Sequence, residues 1–462
     1  MIERLDYRGD LVNLRELTQA LAGSGLDNGA CWTKAERFAK AVAALARSVK
    51  ESRGRRLHAM FVPGRIEVLG KHTDYAGGRS LVACLEQGFC LVAVARSDRR
   101  VTMVDAAREE TIGFDLDPQL VPRAGHWSNY PMTVARRIAG NFPEATRGAE
   151  IAFASDLPPA AGMSSSSAMM VAVFLALADV NQLMESPRYR ENIHDLTDLA
   201  GYLGTVENGQ TFASLEGDRG VGTFGGSEDH TAMLCAGANQ VSQFAYCPVR
   251  FERAIPLPED YTFAIATSGI AAEKTGAAMD KYNAASRLAS TIAELWRHET
   301  GRHDPHLAAA LGSGPNAAEQ LRSILRAAET DLGEAGPLEK RLEHFLAENE
   351  EILPPAADAM AAGDVAGFGQ LVDRSQRAAE ELLGNQIPET SYLALSARRC
   401  GAAAASAFGA GFGGSVWALV RKSQTEPFLA SWAKSYRAEF PESARSALFF
   451  PTAAGPAAFQ VC

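Results

Sequence analysis

Residues 155–172 read SDLPPAAGMSSSSAMMVA and mark a turn between two regular elements. The segment that ends there, AEIAFASDLP, is typical of a strand, and the segment that begins there, SSSSAMMVAVFLALADV, is typical of a buried helix. The first N–H groups of a helix lack an intrahelical acceptor and lie at the positive end of its dipole, so this turn suits a phosphate group. The alternative is that the serines only cap the helix. A Walker-type GxxxxGK[ST] sequence is absent, so a nucleotide would be held in another way.

The segments on either side of this turn alternate between strands and helices without a repeat. Residues 11–50 predict two helices, and HAMFVPGRIEVLG, GFCLVAVAR and RVTMVDA predict strands. After about residue 248 the order is a strand in YTFAIATSG, alanine-rich helices between residues 276 and 400, and two strands around a glycine turn in AAASAFGAGFGGSVWALV. We therefore predict two domains, residues 1–245 and residues 246–462.

Length and composition limit the classes of protein to which the chain can belong. A chain of 462 residues exceeds what one core usually holds, which favours two domains. The formal charge of -10 argues against nucleic-acid binding, which needs basic faces, although a local pocket can still attract a small anion. The sequence has no apolar run of the roughly 20 residues that a membrane span needs, and its N-terminus lacks a secretory signal. The seven cysteines show no CxxC spacing, which argues against a zinc site or a disulfide framework. These features predict a cytoplasmic protein that binds neither nucleic acid nor a membrane.

Two further stretches concentrate groups suited to binding. PGRIEVLGKHTDYAGG, residues 63–78, places charged and polar side chains at the end of an apolar strand. GAGFGGSVWALV, residues 409–420, is a glycine turn that leads into a strand, and glycine permits close backbone approach to a ligand. Each stretch alone is also compatible with an ordinary surface turn.

In this order and spacing, the three stretches resemble the motifs of the GHMP kinase superfamily, and within it the galactokinase family. The first galactokinase motif reads Pro-Gly-Arg-Val-Asn-Leu-Ile-Gly-Glu-His-Thr-Asp-Tyr and is similar to residues 63–75. HWSNYPMTV, GTVEN, GGSEDH and MDKYNAASR resemble four further family segments, so that the likeness covers roughly residues 58–420. The resemblance implies an α+β two-domain GHMP kinase fold, with an N-terminal domain like the second domain of ribosomal protein S5 and a ferredoxin-like C-terminal domain. It also implies an active site between the two domains.

The resemblance implies a role for each matching residue in an ATP-dependent sugar 1-kinase. Asp229 corresponds to the catalytic aspartate that faces the anomeric hydroxyl, and Arg65 to the arginine that stabilises the transferred phosphoryl group. Ser166 and Glu207 correspond to Mg²⁺ ligands. The expected ATP-binding residues are Gly162, Met163, Ser164, Ser165, Ser166, Ser167 and Trp127, and the expected sugar-binding residues are Lys71, His72, Asp74 and Tyr282. ATP, Mg²⁺ and a small sugar are the implied ligands of a monomer or homodimer.

Lys71 departs from the family pattern, because galactokinases carry Glu at this position and that Glu accepts a hydrogen bond from a sugar hydroxyl. Lysine can only donate, so Lys71 would suit a carboxylate at C6 and thereby a uronic acid such as galacturonate or glucuronate. The alternative is that Lys71 pairs with Glu228 inside the protein and leaves the substrate unchanged. A second departure is the long segment between VEN and GGSEDH, within which Glu216 could compete with Glu207 for the metal.

Two other functions remain open at the level of sequence. A sugar sensor could retain both binding sites without catalysis, although Asp229, Arg65 and Glu207 are all present here. Kinases of mevalonate or homoserine share the superfamily motifs, but GKHTDY and KYN favour a sugar. The sequence leaves the role of residues 11–50 and the identity of the sugar undecided.

Overall fold

The structure is a computed structural model that describes residues 2–48, 56–272, 277–328 and 336–462. The strands are β1 Glu3–Arg4, β2 Leu57–Leu69, β3 Arg79–Ala95, β4 Arg100–Asp105, β5 Glu110–Asp115, β6 Ala149–Ser155, β7 Gln240–Ala245, β8 Arg250–Pro256, β9 Tyr261–Thr267, β10 Ala404–Phe408, β11 Ser415–Arg421, β12 Phe449–Thr452 and β13 Phe459–Gln460. These strands form two sheets.

The α-helices of the first half are α1 Leu14–Leu21, α2 Asn28–Ser48, α3 Asn129–Asn141, α4 Ser165–Asn181, α5 Pro187–Asn192, α6 Leu196–Asn208 and α7 Glu228–Cys235. Those of the second half are α8 Ala277–Thr300, α9 Leu307–Leu311, α10 Ala317–Ala328, α11 Pro337–Leu346, α12 Leu353–Ala361, α13 Val365–Ala378, α14 Pro388–Arg399 and α15 Thr425–Glu439. π-Helical turns at Ala347–Ile352 and Ala379–Leu383 follow α11 and α13. The two N-terminal helices and the alanine-rich helices predicted from the sequence are confirmed. Among the described helices, none has the length and hydropathy that a membrane crossing requires.

The first sheet has the strand order β1-β13-β2-β3-β6-β4-β5, and β7 joins β3 and β8. β3 is long enough to pair with β7 along its first residues and with β6 along its last. Helices α1 and α2 cover one face through an apolar cluster that includes Leu17, Phe38 and Phe61. Helix α4 covers the other face and is buried almost all round, which explains its continuous apolar sequence. The first domain is therefore a sheet between two helical layers.

The second sheet is antiparallel, with the strand order β10-β11-β9-β12. In chain order it runs β9, helices, β10, β11, α15 and β12, which is the ferredoxin-like arrangement. This confirms the ferredoxin-like domain that was expected after the first domain. Helices α8 to α13 fill the long connection between β9 and β10.

The predicted boundary between residues 245 and 246 falls inside a hairpin and needs correction. β8 pairs with β7, so the first sheet continues to Pro256. β13 pairs with both β1 and β2, so the end of the chain returns from the second sheet to the first. Sequence alone could not show this return, because strand pairing between residues 459–460 and residues 60–61 is a long-range contact. A division after Pro256, with the last strand assigned to the first domain, agrees with the pairing.

Candidate active site

Two adjoining cavities lie where the serine-rich turn, the β2–β3 turn and the β10–β11 turn meet. The first, called here the sugar cavity, is lined by Arg65, Glu67, His72, Asp74, Tyr75, Glu207, Gly225, Gly226, Glu228, Asp229, Tyr282, Gly409 and Ala410. The second, called here the nucleotide cleft, has a volume of about 540 Å³ and includes Trp127, Tyr130, Phe153, Gly162 and the serine turn. Arg65 and Ala410 line both, so the two cavities communicate through them.

The serine turn presents part of its sequence to the nucleotide cleft. Ser164 precedes α4 with a φ of 55°, and Gly162 has a φ of 75°, a region that favours glycine. Ser164, Ser165 and Ser166 line the cleft, as the sequence predicted. Met163 and Ser167 are fully buried and do not line it, and the expected part of these two residues in ATP binding stays a prediction. Met163 instead fixes the turn to the core, because it belongs to an apolar cluster with members in both domains, such as Val171 and Trp417.

The glycine turn between β10 and β11 packs directly against the serine turn. Ser415 Oγ donates a hydrogen bond to the Ala161 carbonyl over 2.5 Å. Gly409 has a φ of 84°, and a Cβ atom at this position would lie 2.7 Å from the Gly162 carbonyl oxygen. The glycines of residues 409–414 therefore allow the second domain to touch the turn that is expected to hold phosphate.

Asp229 joins the two cavities. It lies in the first turn of α7, and its Oδ1 accepts a hydrogen bond from Arg65 Nε over 2.7 Å. Its Oδ2 accepts a hydrogen bond from Ser164 Oγ over 2.6 Å and lies 3.2 Å from Ser167 Oγ, whose single proton it shares with Glu207. Arg65 Nη1 also donates to the Gly162 carbonyl over 2.7 Å. One carboxylate, one guanidinium and the serine turn therefore form a connected cluster.

Arg65 keeps its charge although it is buried. Burial lowers the pKa of Arg65, but the nearby carboxylates of Asp229, Glu67 and Glu228 outweigh this effect and raise the pKa above its ordinary value. The guanidinium lies 5.8 Å from the centre of the Phe408 ring, next to the glycine turn. A permanent positive charge is thus fixed between the cavity and the cleft.

Glu207 lies at the end of α6 and lines the sugar cavity. Its Oε2 accepts a hydrogen bond from Ser167 Oγ over 2.8 Å, whereas the sequence predicted Ser166 as its partner at a metal. Ser166 lines the nucleotide cleft, so the structure does not show the two expected metal ligands in contact. Glu216, the alternative metal residue, is exposed and lines neither cavity.

His72, Asp74 and Tyr282 come together in the sugar cavity, as predicted. His72 Nε2 lies 3.2 Å from the Ala410 carbonyl, and the His72 and Tyr282 rings are 5.4 Å apart. Asp74 Oδ2 accepts a hydrogen bond from the Glu228 N–H at the start of α7 over 3.1 Å. Tyr282 belongs to α8, so side chains from both domains enclose the cavity.

Comparisons with known proteins agree with this geometry. The family model for the GHMP kinases N terminal domain matches residues 129–217, the galactokinase galactose-binding signature matches residues 50–96, and the GHMP kinases C terminal model matches residues 356–438. A galactokinase of Roseiflexus sp. (strain RS-1) is 29% identical over 384 residues, which are 81% of this chain and 86% of that protein. The galactokinase of Chloroflexus aggregans is 28% identical and covers the same shares. A crystal structure of Lactococcus lactis galactokinase complexed with galactose is 26% identical, has a TM-score of 0.73, and covers 90% of this chain and 99% of its own.

The chain belongs to the galactokinase family of the GHMP kinase superfamily. The two-domain GHMP kinase fold is likewise shown. A mevalonate kinase of L. major, solved with R-mevalonate, shares only the fold, with 13% identity and a TM-score of 0.54.

Lys71 does not lie where its position in the galactokinase motif led us to expect. It is 1% exposed, does not line the sugar cavity, and donates a hydrogen bond from Nζ to Ser375 Oγ on α13 over 2.9 Å. Ser375 Oγ in turn donates to Glu348 Oε1 over 3.0 Å. The expected Lys71–Glu228 pair is also absent from the described structure, where the cation nearest Glu228 is Arg65, at 3.9 Å. The side chain turns away because the helices after β9 offer it a buried polar partner.

Sequence reasoning gave no role in this galactokinase-family site to Glu67 or Asn283, and it considered Glu228 only as a partner of Lys71. Glu67 and Glu228 line the sugar cavity, and burial raises the pKa of both carboxyl groups, that of Glu67 to about 7. Asn283 holds residues 222–224 through hydrogen bonds to Gly222 O and Phe224 N. A signal for Glu67 was present, since a charged residue interrupts the apolar strand where the galactokinase motif has Asn.

Trp127 lies on the loop before α3 and lines the nucleotide cleft, as the resemblance predicted. Its ring contacts Phe153 edge-on with the centroids 5.8 Å apart. Among the described residues, its buried Nε1 has no hydrogen-bond partner. The apolar wall with a spare donor suits a purine base.

Proposed function

We propose that this member of the galactokinase family transfers the γ-phosphoryl group of ATP to the anomeric hydroxyl of galactose. The observation that supports this most directly is the Asp229 carboxylate, which is bonded to Arg65 on one side and to Ser164 on the other. Asp229 thus lines the sugar cavity and is hydrogen-bonded to Ser164, which lines the nucleotide cleft at a helix N-terminus. The likeness to a galactokinase solved with galactose supports this choice of sugar.

In this proposal, ATP occupies the nucleotide cleft. The purine lies near Trp127, and the phosphates lie against the turn that contains Gly162 and Ser164. Free N–H groups at the start of α4 and the charge of Arg65 stabilise the phosphates. The glycine turn at Gly409 closes the cleft from the side of the second domain.

The chemical step needs orientation and charge more than covalent work by the protein. The sugar is held by Asp74, His72 and Tyr282, with its anomeric hydroxyl towards Asp229. Asp229 orients that hydroxyl and accepts its proton, or stabilises its developing charge. Arg65 then offsets the negative charge that builds up on the transferred group.

Mg²⁺ fits this site as an ion held mainly by the nucleotide. The described residues include no cluster of three or more metal-ligating side chains, but Mg²⁺ commonly needs only one or two carboxylates together with phosphates. Glu207 supplies a carboxylate beside the serine turn, as its 2.8 Å hydrogen bond with Ser167 shows. The ion would neutralise phosphate charge, and Glu207 with a serine hydroxyl of the turn would hold it.

Neither alternative from the sequence gains support from the geometry. A uronate 1-kinase would need Lys71 at the sugar, but Lys71 Nζ is bonded to Ser375 outside the sugar cavity. A sensor without catalysis would not need the connected Asp229, Arg65 and Ser164 cluster. The cytoplasmic location and the monomeric or homodimeric state stay predictions.

Replacement of the central carboxylate tests the proposal. Asp229→Asn preserves size but removes the charge, and we expect kcat for galactose to fall by about a thousandfold or more, while galactose and ATP still bind. Release of ADP in the presence and absence of galactose measures turnover, and calorimetry measures binding. The exposed Asp260→Asn is the matched control and should retain full activity. Absence of sugar-dependent ADP release by the unaltered protein, with galactose still bound, would favour a sensor instead.

A further inference from the structure

Glu67 is a buried carboxyl group that points to a ligand. It lies two residues after Arg65 on β2, and both side chains line the sugar cavity. Only 4% of Glu67 is exposed, and its Oε1 has no hydrogen-bond partner in the part of the chain that the structure describes. A buried polar oxygen without a donor destabilises the protein, and more so when it is charged.

A comparison with Glu86 shows that burial alone does not explain this geometry. Glu86 lies on the neighbouring strand β3 and is also 4% exposed. Its two oxygens accept hydrogen bonds from the Asp27 and Ala453 N–H groups, each over 2.9 Å. Glu86 is thus a structural carboxylate with complete partners, whereas Glu67 lacks such donors.

The charges around Glu67 do not supply the missing donor. Arg65 uses its Nε and Nη1 on Asp229 and Gly162, and Lys71 uses its Nζ on Ser375. The remaining charged neighbours of Glu67 are the carboxylates of Glu228, Asp229 and Glu348. Burial raises the pKa of Glu67 to about 7, which agrees with a carboxyl group that the protein itself solvates poorly.

We propose that Glu67 is a specificity-determining residue whose carboxyl group accepts a hydrogen bond from a hydroxyl group of the bound sugar. The inference rests on the proposed sugar kinase function and extends it to the class of sugar. A neutral hexose supplies the donor that Glu67 lacks. A hexuronate would add another negative charge to a cavity whose lining already includes five acidic residues, Glu67, Asp74, Glu207, Glu228 and Asp229. The site therefore discriminates against a hexuronate.

Removal of single hydroxyls from the sugar tests this contact. Wild-type protein is assayed for kcat/KM with galactose, its 2-, 3-, 4- and 6-deoxy analogues, and galacturonate. The same panel is run on Glu67→Gln, on Glu67→Asn, which is the residue in the galactokinase motif, and on Glu86→Gln as a matched buried control. Each variant and each deoxy analogue form a double-mutant cycle with wild type and galactose, which measures the coupling between one side chain and one sugar hydroxyl.

With wild-type protein, we expect kcat/KM for one deoxy analogue to be about tenfold or more below that for galactose, since the hydrogen bond between the missing hydroxyl and Glu67 is lost. In Glu67→Asn, removal of the same hydroxyl should lower kcat/KM by less than about threefold, because the shorter amide no longer reaches it. Glu67→Gln should raise KM for galactose while kcat changes little. Galacturonate should be a poor substrate for wild type and improve relative to galactose in both Glu67 variants. Glu86→Gln should leave the whole pattern unchanged.

The outcomes separate this inference from the proposed function. Phosphorylation of galactose with the same deoxy pattern in wild type and both Glu67 variants would overturn the role of Glu67 alone. Efficient phosphorylation of galacturonate by wild type would overturn it as well, even if the variants failed to fold. Failure of wild type to phosphorylate any sugar would refute the proposed function and the inference with it.

Discussion

At the scale of single residues, the sugar cavity places a permanent cation among several carboxyl groups. Arg65 donates a hydrogen bond to Asp229, whereas burial raises the pKa of Glu67 and Glu228. Burial and the charges of Glu67 and Asp74 raise the pKa of Glu228 well above its ordinary value. The acids of one cavity thus differ in how readily they ionise.

Glu67 should make stability depend on pH. Its folded pKa of about 7 exceeds the ordinary carboxyl value of 4.5, so the folded chain retains a proton that the unfolded chain releases. The free energy of unfolding should therefore fall as pH rises from about 4.5 through 7. The cations that oppose this shift are Arg65 and Lys71, and the anions that favour it are Glu348, Asp229 and Glu228.

Urea denaturation between about pH 5 and about pH 8 would measure this effect in wild type and Glu67→Gln. The variant should lose less stability over the range. Equal slopes for the two proteins would show that Glu67 does not titrate in this window.

Lys71 should contribute to stability rather than to the choice of sugar. Lys71→Met removes the hydrogen bond with Ser375, which should cost about 1–3 kcal/mol of unfolding free energy because the serine is buried. The ratio of kcat/KM for galactose and galacturonate should stay within about twofold, since Nζ lies outside the cavity. A much larger change in the ratio of kcat/KM for the two sugars would show that Lys71 acts at the sugar site.

At the scale of elements, the site depends on two turns that pack on each other. The serine turn connects β6 to α4, and the glycine turn connects β10 to β11. Their contact at Gly162, Gly409 and Ser415 couples the two domains across the nucleotide cleft. The backbone of the second domain thereby shapes the phosphate site without contributing a charge.

Gly409→Ala tests this contact. A methyl group there would lie 2.7 Å from the Gly162 carbonyl, so the serine turn must shift, and KM for ATP should rise by about tenfold. Gly363→Ala is the matched control, because its φ is also positive but its Cβ would meet nothing within 4 Å. Both variants should lose about 1 kcal/mol from backbone strain, but only Gly409→Ala should change the kinetics. Equal ATP kinetics in the two variants would contradict the packing argument.

At the scale of the whole molecule, the N-terminal helices support the site from the far side of the first sheet. Lys34 on α2 is 1% exposed and forms an ion pair with Asp156, the residue that follows β6. Asp156 also accepts a hydrogen bond from the Gly88 N–H over 2.8 Å. Residues 11–48, part of the segment for which the sequence indicated no role, thus cover a sheet face and anchor the start of the serine turn.

Lys34→Met should destabilise the protein by about 3–5 kcal/mol, because it leaves the Asp156 carboxylate without its cation. KM for ATP should also rise, since Asp156 leads into the serine turn. Arg47→Met on the same helix removes an exposed pair with Glu109 and should cost less than about 1 kcal/mol. Denaturant midpoints and ATP kinetics of the two variants provide the comparison. Similar losses of unfolding free energy in both variants would show that the buried ion pair stabilises the protein no more than the exposed one.

Local signals in the sequence predicted many of the elements, and the motifs predicted the family and a shared site. Apolar periodicity and the glycine, proline and serine signals are local properties, so they marked α1, α2, α4, the strands β2, β4, β6, β9, β10 and β11, and the serine turn correctly, but they gave no prediction of β7, β8, β12 or β13. One cavity is lined by residues that the family motifs singled out, namely Arg65, His72, Asp74, Tyr282 and Asp229.

Side-chain directions and strand pairing depend instead on the folded chain as a whole. In the folded chain, Lys71 donates a hydrogen bond to Ser375 on α13, and Glu207 accepts one from Ser167 rather than from Ser166. Glu67 Oε1 is buried without a donor among the described residues. The strand β13 lies between β1 and β2. These outcomes depend on partners distant in the sequence, 40 residues away for Ser167 and Glu207 and 304 for Lys71 and Ser375, and a buried polar group turns to whichever partner best replaces the water that it lost.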